Sequence, residues 1–102
     1  MSFVYTVQGA FETEAVAEEW VAWLQHGHLD EVLKGGALEA TLVRLSPLLF
    51  EVRYVFADAA AFAAYERDAA PPLRADSLAK FPASRGVKMS RSTGEILTVA
   101  RR

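Results

Sequence analysis

The sequence contains no cysteine among its 102 residues, so disulfide bonds, thiolate metal ligands and a nucleophilic thiol are excluded. No apolar run approaches the roughly 18 residues that a membrane-spanning helix needs. The first ten residues also lack the basic start and the apolar core of a signal peptide. Together these absences predict a cytoplasmic protein without a membrane partner.

Positive charge is not in excess either, because 11 Lys and Arg residues are balanced by 13 Asp and Glu residues and the net charge is −2. Such a small charge creates no field that would attract nucleic acid. Hydrophobic residues, by contrast, make up 52% of the chain and charged residues 24%. This composition is typical of a chain with a packed core, and its length fits one domain over residues 1–102.

Two stretches of the chain have the composition of strands paired in a hairpin. Residues 37–45 and 49–56 are rich in β-branched and aromatic types, and Ser46-Pro47 separates them. Residues 3–8 have the same character and end at Gly9, which predicts a first strand. Near the other end, residues 87–91 and 95–99 predict two short strands around Thr93-Gly94.

Two helical patterns alternate with these strands. The first follows Thr13, which is a good N-cap residue. The second follows Asp58 and runs over residues 59–70, until Pro71-Pro72 interrupts it before residues 73–81 resume the pattern. The order β-α-β-β-α-β predicts an α+β, ferredoxin-like fold with a four-stranded antiparallel sheet and two helices on one face.

Side-chain alternation divides the hairpin into two different faces. One face is almost entirely apolar and consists of Leu38, Ala40, Leu42, Phe50, Val52, Tyr54 and Phe56. The other is mixed and consists of Glu39, Thr41, Val43, Leu49, Glu51, Arg53 and Val55. A mixed face is typical of a surface half buried against a partner or around a cavity. A partly exposed face with cross-strand ion pairs is the alternative.

The segment WVAWLQHGHLDEVLKGG, residues 20–36, raises the question of a reactive site. Helical spacing places Trp20 in the apolar stripe and Trp23 at its edge, where it can line a pocket or an interface. His26 is predicted to be solvated. His28 follows Gly27 and has two interpretations: a cap just past a helix C-terminus, or a group that lines a pocket and transfers protons.

Other chemistry has little support. The two histidines lack metal-ligand spacing, and no serine lies in an elbow-like motif, so no metal or cofactor is expected. Arg85 and Arg74 either hold an anion together or form salt bridges to acidic residues of the second helical region, namely Glu66, Asp68 or Asp76. Apart from His28, the acid-base candidates are Glu39 and Glu51.

A resemblance to a known family rests on residues 20–36, on the strand FEVRYVF and on the pattern "YExxAPxLRxxxLxxFP…SR". Here that pattern is Tyr65, Ala70-Pro71, Leu73-Arg74, Leu78, Phe81-Pro82 and Ser84-Arg85. The chain resembles a small bacterial family of unknown function in the dimeric α+β barrel superfamily, which also contains cofactor-free monooxygenases, haem-degrading enzymes and small isomerases. The resemblance implies a homodimer whose two sheets pack face to face.

The function predicted on these grounds is the binding of a small organic molecule between sheet and helices. A non-catalytic dimerisation or ligand-sensing module is one alternative, and a cofactor-free monooxygenase-like enzyme is another. The candidate binding residues are Trp23, His28, Arg53, Tyr54, Arg74 and Arg85.

Overall fold

The computed structural model describes residues 1–102, which form one four-stranded sheet covered by helices. All neighbouring strands are antiparallel and their order is β2-β3-β1-β4, so the predicted ferredoxin-like fold is confirmed. The strands are β1 Phe3–Phe11, β2 Glu39–Ser46, β3 Leu49–Phe56 and β4 Val87–Glu95. The helices are α1 Glu14–Trp23, α2 Leu29–Lys34, α3 Ala59–Asp68 and α4 Ala70–Lys80, with a π-helical turn Leu24–His28 and a 3-10 turn Ala83–Arg85.

Both predicted N-caps are confirmed. The Thr13 hydroxyl accepts a hydrogen bond from the Val16 amide at 3.4 Å, and the Asp58 carboxylate accepts one from the Ala61 amide at 2.8 Å. These contacts satisfy amide donors that the first turn of a helix leaves without partners. They therefore fix where α1 and α3 begin.

The two predicted helical regions are each divided in two. Pro71-Pro72 falls in the first turn of α4, where a missing amide donor costs nothing, so α3 ends and α4 starts at once. In the first region the helix does not end before His28, which differs from the interpretation of His28 as a cap past a helix end. Gly27 adopts a φ of +147°, which is accessible to glycine, and the helix resumes at Leu29. His28 itself has helical angles.

Strand β4 corrects the prediction of two short strands. Gly94 lies within the ladder opposite Val4, and Glu95 pairs with Phe3 at the beginning of β1. β1 offers no further partner, so residues 96–102 form no strand. Their one backbone contact with the start of the chain is a hydrogen bond of 2.8 Å from the Ile96 amide to the Ser2 carbonyl. β1 in turn extends past Gly9 to Phe11.

The helices cover one face of the sheet, and the core lies between them. The register pairs Ala40 with Tyr54 and Leu42 with Val52, so the apolar face of the hairpin is the covered face, as predicted. Leu38 is the exception, because it precedes β2 and is 67% exposed. The core consists of Tyr5, Phe11, Ala17, Trp20, Leu24, Val32, Ala37, Phe50, Val52, Tyr54, Phe56, Tyr65, Ala70, Phe81 and Val87. The predicted core position of Trp20 is thus confirmed.

The opposite face of the sheet, called the open face below, carries no helix. Glu51 lies on this face, where it accepts a hydrogen bond from Gln8 at 3.2 Å and forms an ion pair with Arg53 at 2.9 Å. These contacts leave Glu51 only 8% exposed. The chain contains no helix long and apolar enough to cross a membrane.

Candidate functional site

A cavity of about 190 Å³ lies between the covered face of the sheet and the helices. Twelve of its 16 lining residues are hydrophobic. The wall consists of Tyr5 and Val7 of β1, Val52 and Tyr54 of β3, Met89 and Arg91 of β4, Trp20 and Trp23 of α1, Leu24 and His28 of the π-helical turn, Tyr65 of α3, and Leu73, Arg74, Ser77, Leu78 and Phe81 from α4 and its end. An apolar pocket with a few polar groups is the usual form of a small-molecule site.

One part of the wall is an aromatic group built by the π-helical turn. In this turn the Leu29 amide donates to the Leu24 carbonyl five residues earlier, so residues five apart come onto the same side. Trp23 and His28 have this spacing, and their rings stack with centroids 4.1 Å apart and planes 23° apart. Phe81 packs on Trp23 with centroids 5.4 Å apart. The wide turn therefore brings His28 to the cavity.

His28 has the electrostatic character of a pocket residue. Burial lowers the pKa of its imidazole, because the charged form is poorly solvated there, although the carboxylates of Asp76 and Glu31 act in the opposite direction. The cap interpretation placed His28 just past a helix C-terminus, whereas His28 has helical backbone angles, leads directly into α2 and makes no capping hydrogen bond with its side chain. That interpretation is wrong. His28 is a neutral imidazole near physiological pH, while His26 is exposed as predicted.

Three tyrosines form a second part of the wall. Tyr5 and Tyr54 are register partners on adjacent strands, with ring centroids 5.8 Å apart, and Tyr65 of α3 lies 6.4 Å from Tyr5. Burial raises the pKa of Tyr54 well above its usual range and that of Tyr65 to about 12. All hydroxyls with such values stay protonated and can donate hydrogen bonds at neutral pH.

Two arginines accompany the tyrosines. Arg74 donates from Nη2 to the Glu66 carboxylate at 2.6 Å, and this bond is the main reason why the pKa of Arg74 is raised. Its Nε is buried without any hydrogen-bond partner. Arg91 lies on the covered face of β4, since it pairs with Val7, and it forms no ion pair. No Asp or Glu lines the cavity.

Four of the six predicted binding residues meet at this cavity: Trp23, His28, Tyr54 and Arg74. The other two do not. Arg53 lies on the open face beside Glu51, because residues 53 and 54 of a strand point to opposite sides. Arg85 pairs with Glu19 at 2.6 Å and also donates to the Lys80 carbonyl.

The salt-bridge alternative for the two arginines is therefore half right. Arg74 pairs with Glu66 as predicted, whereas Arg85 pairs with Glu19 of α1 instead of an acid of the second helical region. The prediction missed Tyr5, Tyr65 and Arg91. Alternation along β1 and β4 was the available signal, but it places these residues at the cavity only once the β1–β4 register is known.

The family of the chain follows from its sequence. Residues 2–93 match the model of a family described as "Domain of unknown function (DUF4286)". The chain belongs to this family. A comparison with curated proteins gives no significant match.

Solved structures with the same fold cover nearly the whole chain. A dimeric ferredoxin-like protein from an uncultured marine organism is 15% identical, with a TM-score of 0.73 over 97% of this chain and 98% of that one. SnoaB, a cofactor-independent oxygenase from Streptomyces nogalater, is 12% identical, with a TM-score of 0.71 over 99% and 98%. The monooxygenase ActVA-Orf6 of Streptomyces coelicolor, solved with nanaomycin D, is 17% identical, with a TM-score of 0.64 over 98% and 93%. At these identities the likeness shows the fold alone.

Proposed function

We propose that this protein binds a small, planar organic molecule in the cavity between its sheet and its helices. The observation that carries the proposal is the cavity itself, because its wall is mainly apolar and aromatic yet includes His28, Ser77 and two arginines. Apolar walls supply affinity through burial, and a few polar groups supply orientation. Residues 1–102 act in this proposal as one cytoplasmic binding domain.

The cavity can be tested by filling it. Ser77 lines the cavity on α4, whereas Ala75 is exposed on the same helix. We expect Ser77→Trp to abolish binding of 2-naphthol, measured by calorimetry, and Ala75→Trp to leave binding intact. Ala75→Trp gives up more helix propensity than Ser77→Trp, since Ser and Trp have similar propensities and Ala exceeds both, so a loss of binding in Ser77→Trp alone does not come from helix propensity. Equal binding by both variants would place the ligand elsewhere.

His28 provides a second test of the same site. Because its ring stacks on Trp23 at the cavity and caps no helix, His28→Ala should weaken 2-naphthol binding while the melting temperature stays nearly unchanged. His26→Ala, on the exposed side of the same turn, should change neither quantity. Loss of stability without loss of binding in His28→Ala would contradict a role in the pocket.

The protein also acts as a homodimer in this proposal, with the open face as the interface. Support comes from the burial of Glu51 in its polar cluster, from the half-buried Val4, Val43 and Val55 around it, and from dimeric relatives of the same fold. We expect sedimentation velocity to give a dimer at micromolar concentration. Thr6→Arg, placed beside Arg53 in the register, should yield monomers through like-charge repulsion, whereas Ala63→Arg on α3 should not. A wild-type monomer would reject the interface.

Cofactor-free oxygenation is the second candidate, and the neutral His28 favours it. An imidazole of lowered pKa at the cavity is available to accept a proton from a phenolic substrate. Two proteins of the same fold are an oxygenase and a monooxygenase. Oxygen uptake with a dihydroxynaphthalene, above the protein-free rate and lost in His28→Gln, would support it. Binding without uptake would reject the oxygenase and leave a binding or sensing module.

A further inference from the structure

The charged groups of the cavity wall are all positive. Arg74 and Arg91 both line the cavity, and no carboxylate does. Glu66 does not line the cavity, and its carboxylate forms an ion pair with Arg74 at 2.6 Å. Arg91 forms no ion pair at all. The wall therefore retains an uncompensated positive charge next to an apolar space.

Arg74 retains unused hydrogen-bonding capacity. A guanidinium carries five N–H donors; the bond to Glu66 uses one of those on Nη2, and the Tyr5 hydroxyl also lies near the guanidinium. Nε is buried and has no partner. A buried donor without a partner costs free energy, so an acceptor from outside the chain, such as water, an ion or a ligand, stabilises the protein when it binds there.

Tyr65 shows that both arginines act on the same end of the cavity. Burial raises the pKa of its phenol to about 12, and the charges of Arg74 and Arg91 each work against that rise. The geometry agrees, because Arg74 bonds to Glu66, the residue that follows Tyr65 in α3. Arg91 lies opposite Val7, two residues from Tyr5 on the same face of β1. Tyr5 and Tyr54 lie beside it, so three tyrosine hydroxyls and two guanidiniums form one end of the cavity.

We infer that the cavity selects an aromatic carboxylate, with its ring in the apolar part of the cavity and its anionic group at the end formed by Tyr65, Arg74 and Arg91. This inference rests on the proposed binding function and adds the chemical class of the ligand. Every polar group at that end can donate a hydrogen bond and none is an anion, so a carboxylate matches them, since Arg binds it through charge-assisted hydrogen bonds.

The test compares 2-naphthoate with 2-naphthamide, which has the same shape and no charge. We expect the wild-type protein to bind 2-naphthoate about tenfold more tightly in calorimetry, because charge-assisted hydrogen bonds are roughly twice as strong as neutral ones and about 1.4 kcal/mol of extra binding free energy is a tenfold change in affinity. Arg91→Gln should remove most of this preference, because it should weaken 2-naphthoate binding far more than 2-naphthamide binding. Arg74→Gln should act in the same direction.

Three controls keep the outcomes distinct. Arg67→Gln removes an exposed arginine of α3 and should change neither affinity. Arg91→Gln breaks no ion pair, so it remains informative if Arg74→Gln folds poorly through the loss of its bond to Glu66. Equal wild-type affinities for the two compounds, or equal losses of both in Arg91→Gln, would overturn the carboxylate inference while the binding function stands. Failure of both compounds to bind would overturn the binding function itself.

Discussion

The two faces of the sheet are built by the same strands and differ in almost every physical respect. On the covered face, Tyr5, Tyr54 and Phe56 are buried among the rings of the helices, and a cavity remains between them. On the open face, Glu51 is buried by its neighbours Gln8 and Arg53, with no helix above it. Apolar burial stabilises the first face, and paired polar groups stabilise the second.

The difference assigns separate tasks to alternate residues of one strand. Tyr54 of β3 lines the cavity, whereas Arg53, its neighbour in sequence, lies on the open face. Side chains alternate across a strand with a period of two, so a ligand and a partner subunit can be contacted independently by neighbouring residues. Substitutions on one face should therefore leave the property of the other face largely intact.

The largest expected effect belongs to the covered face. Trp20 is 2% exposed and packs on Phe11 and Phe50, so Trp20→Ala should lower the free energy of unfolding by about 3–5 kcal/mol. Urea denaturation measures this loss. A loss below about 1 kcal/mol would mean that the covered face contributes little more than an ordinary surface position.

The division into two faces could be predicted from the sequence because it depends on local alternation. Phe50, Val52 and Tyr54 alternate with Glu51 and Arg53, and a strand places such residues on opposite sides. The caps Thr13 and Asp58 are local signals too, and so is Pro71-Pro72, although the break falls at Ala69 and both prolines lie inside α4. Signals of this kind can be predicted because each depends on residues a few positions apart.

The site was only partly predictable because its residues come from distant elements. Arg91 reaches the cavity through the pairing of β4 with β1, a register that alternation alone does not specify. One interpretation placed a helix end before His28. Gly27 instead allows a wide turn that brings His28 onto Trp23. The positive φ of Gly27 and the five-residue spacing act together, and neither is visible in composition.

A second prediction addresses the open face. Glu51→Ala leaves Gln8 and Arg53 without their acceptor at a position only 8% exposed, so the free energy of unfolding should fall by about 1–3 kcal/mol and the dimer should weaken. Arg53→Ala, whose side chain is 60% exposed, should cost less than about 1 kcal/mol. Equal losses in urea denaturation would show that the cluster depends on charge and not on burial.

A third prediction compares the half-buried edge of the cavity wall, at Trp23, with the part of the wall that also belongs to the core, at Trp20. Trp23 is half buried and contacts His28 and Phe81, so Trp23→Ala should cost about 1–2 kcal/mol, less than Trp20→Ala. Binding of 2-naphthol should fall strongly in Trp23→Ala, because the ring forms part of the wall. Equal stability losses in the two tryptophan variants would remove this distinction.

The smallest expected effect is a pH dependence that belongs to the covered face alone. Burial lowers the pKa of folded His28, so above the ordinary histidine value the imidazole is neutral in both states and stability is complete. As the pH falls below that value, the unfolded chain takes up the proton first, and stability declines until the pH passes the folded pKa. His28→Phe keeps a ring next to Trp23 and should reduce this decline between about pH 8 and about pH 5, measured by urea denaturation. His26→Gln should retain the wild-type decline, because His26 is exposed. An unchanged decline in His28→Phe would show that the pH dependence comes from groups other than His28.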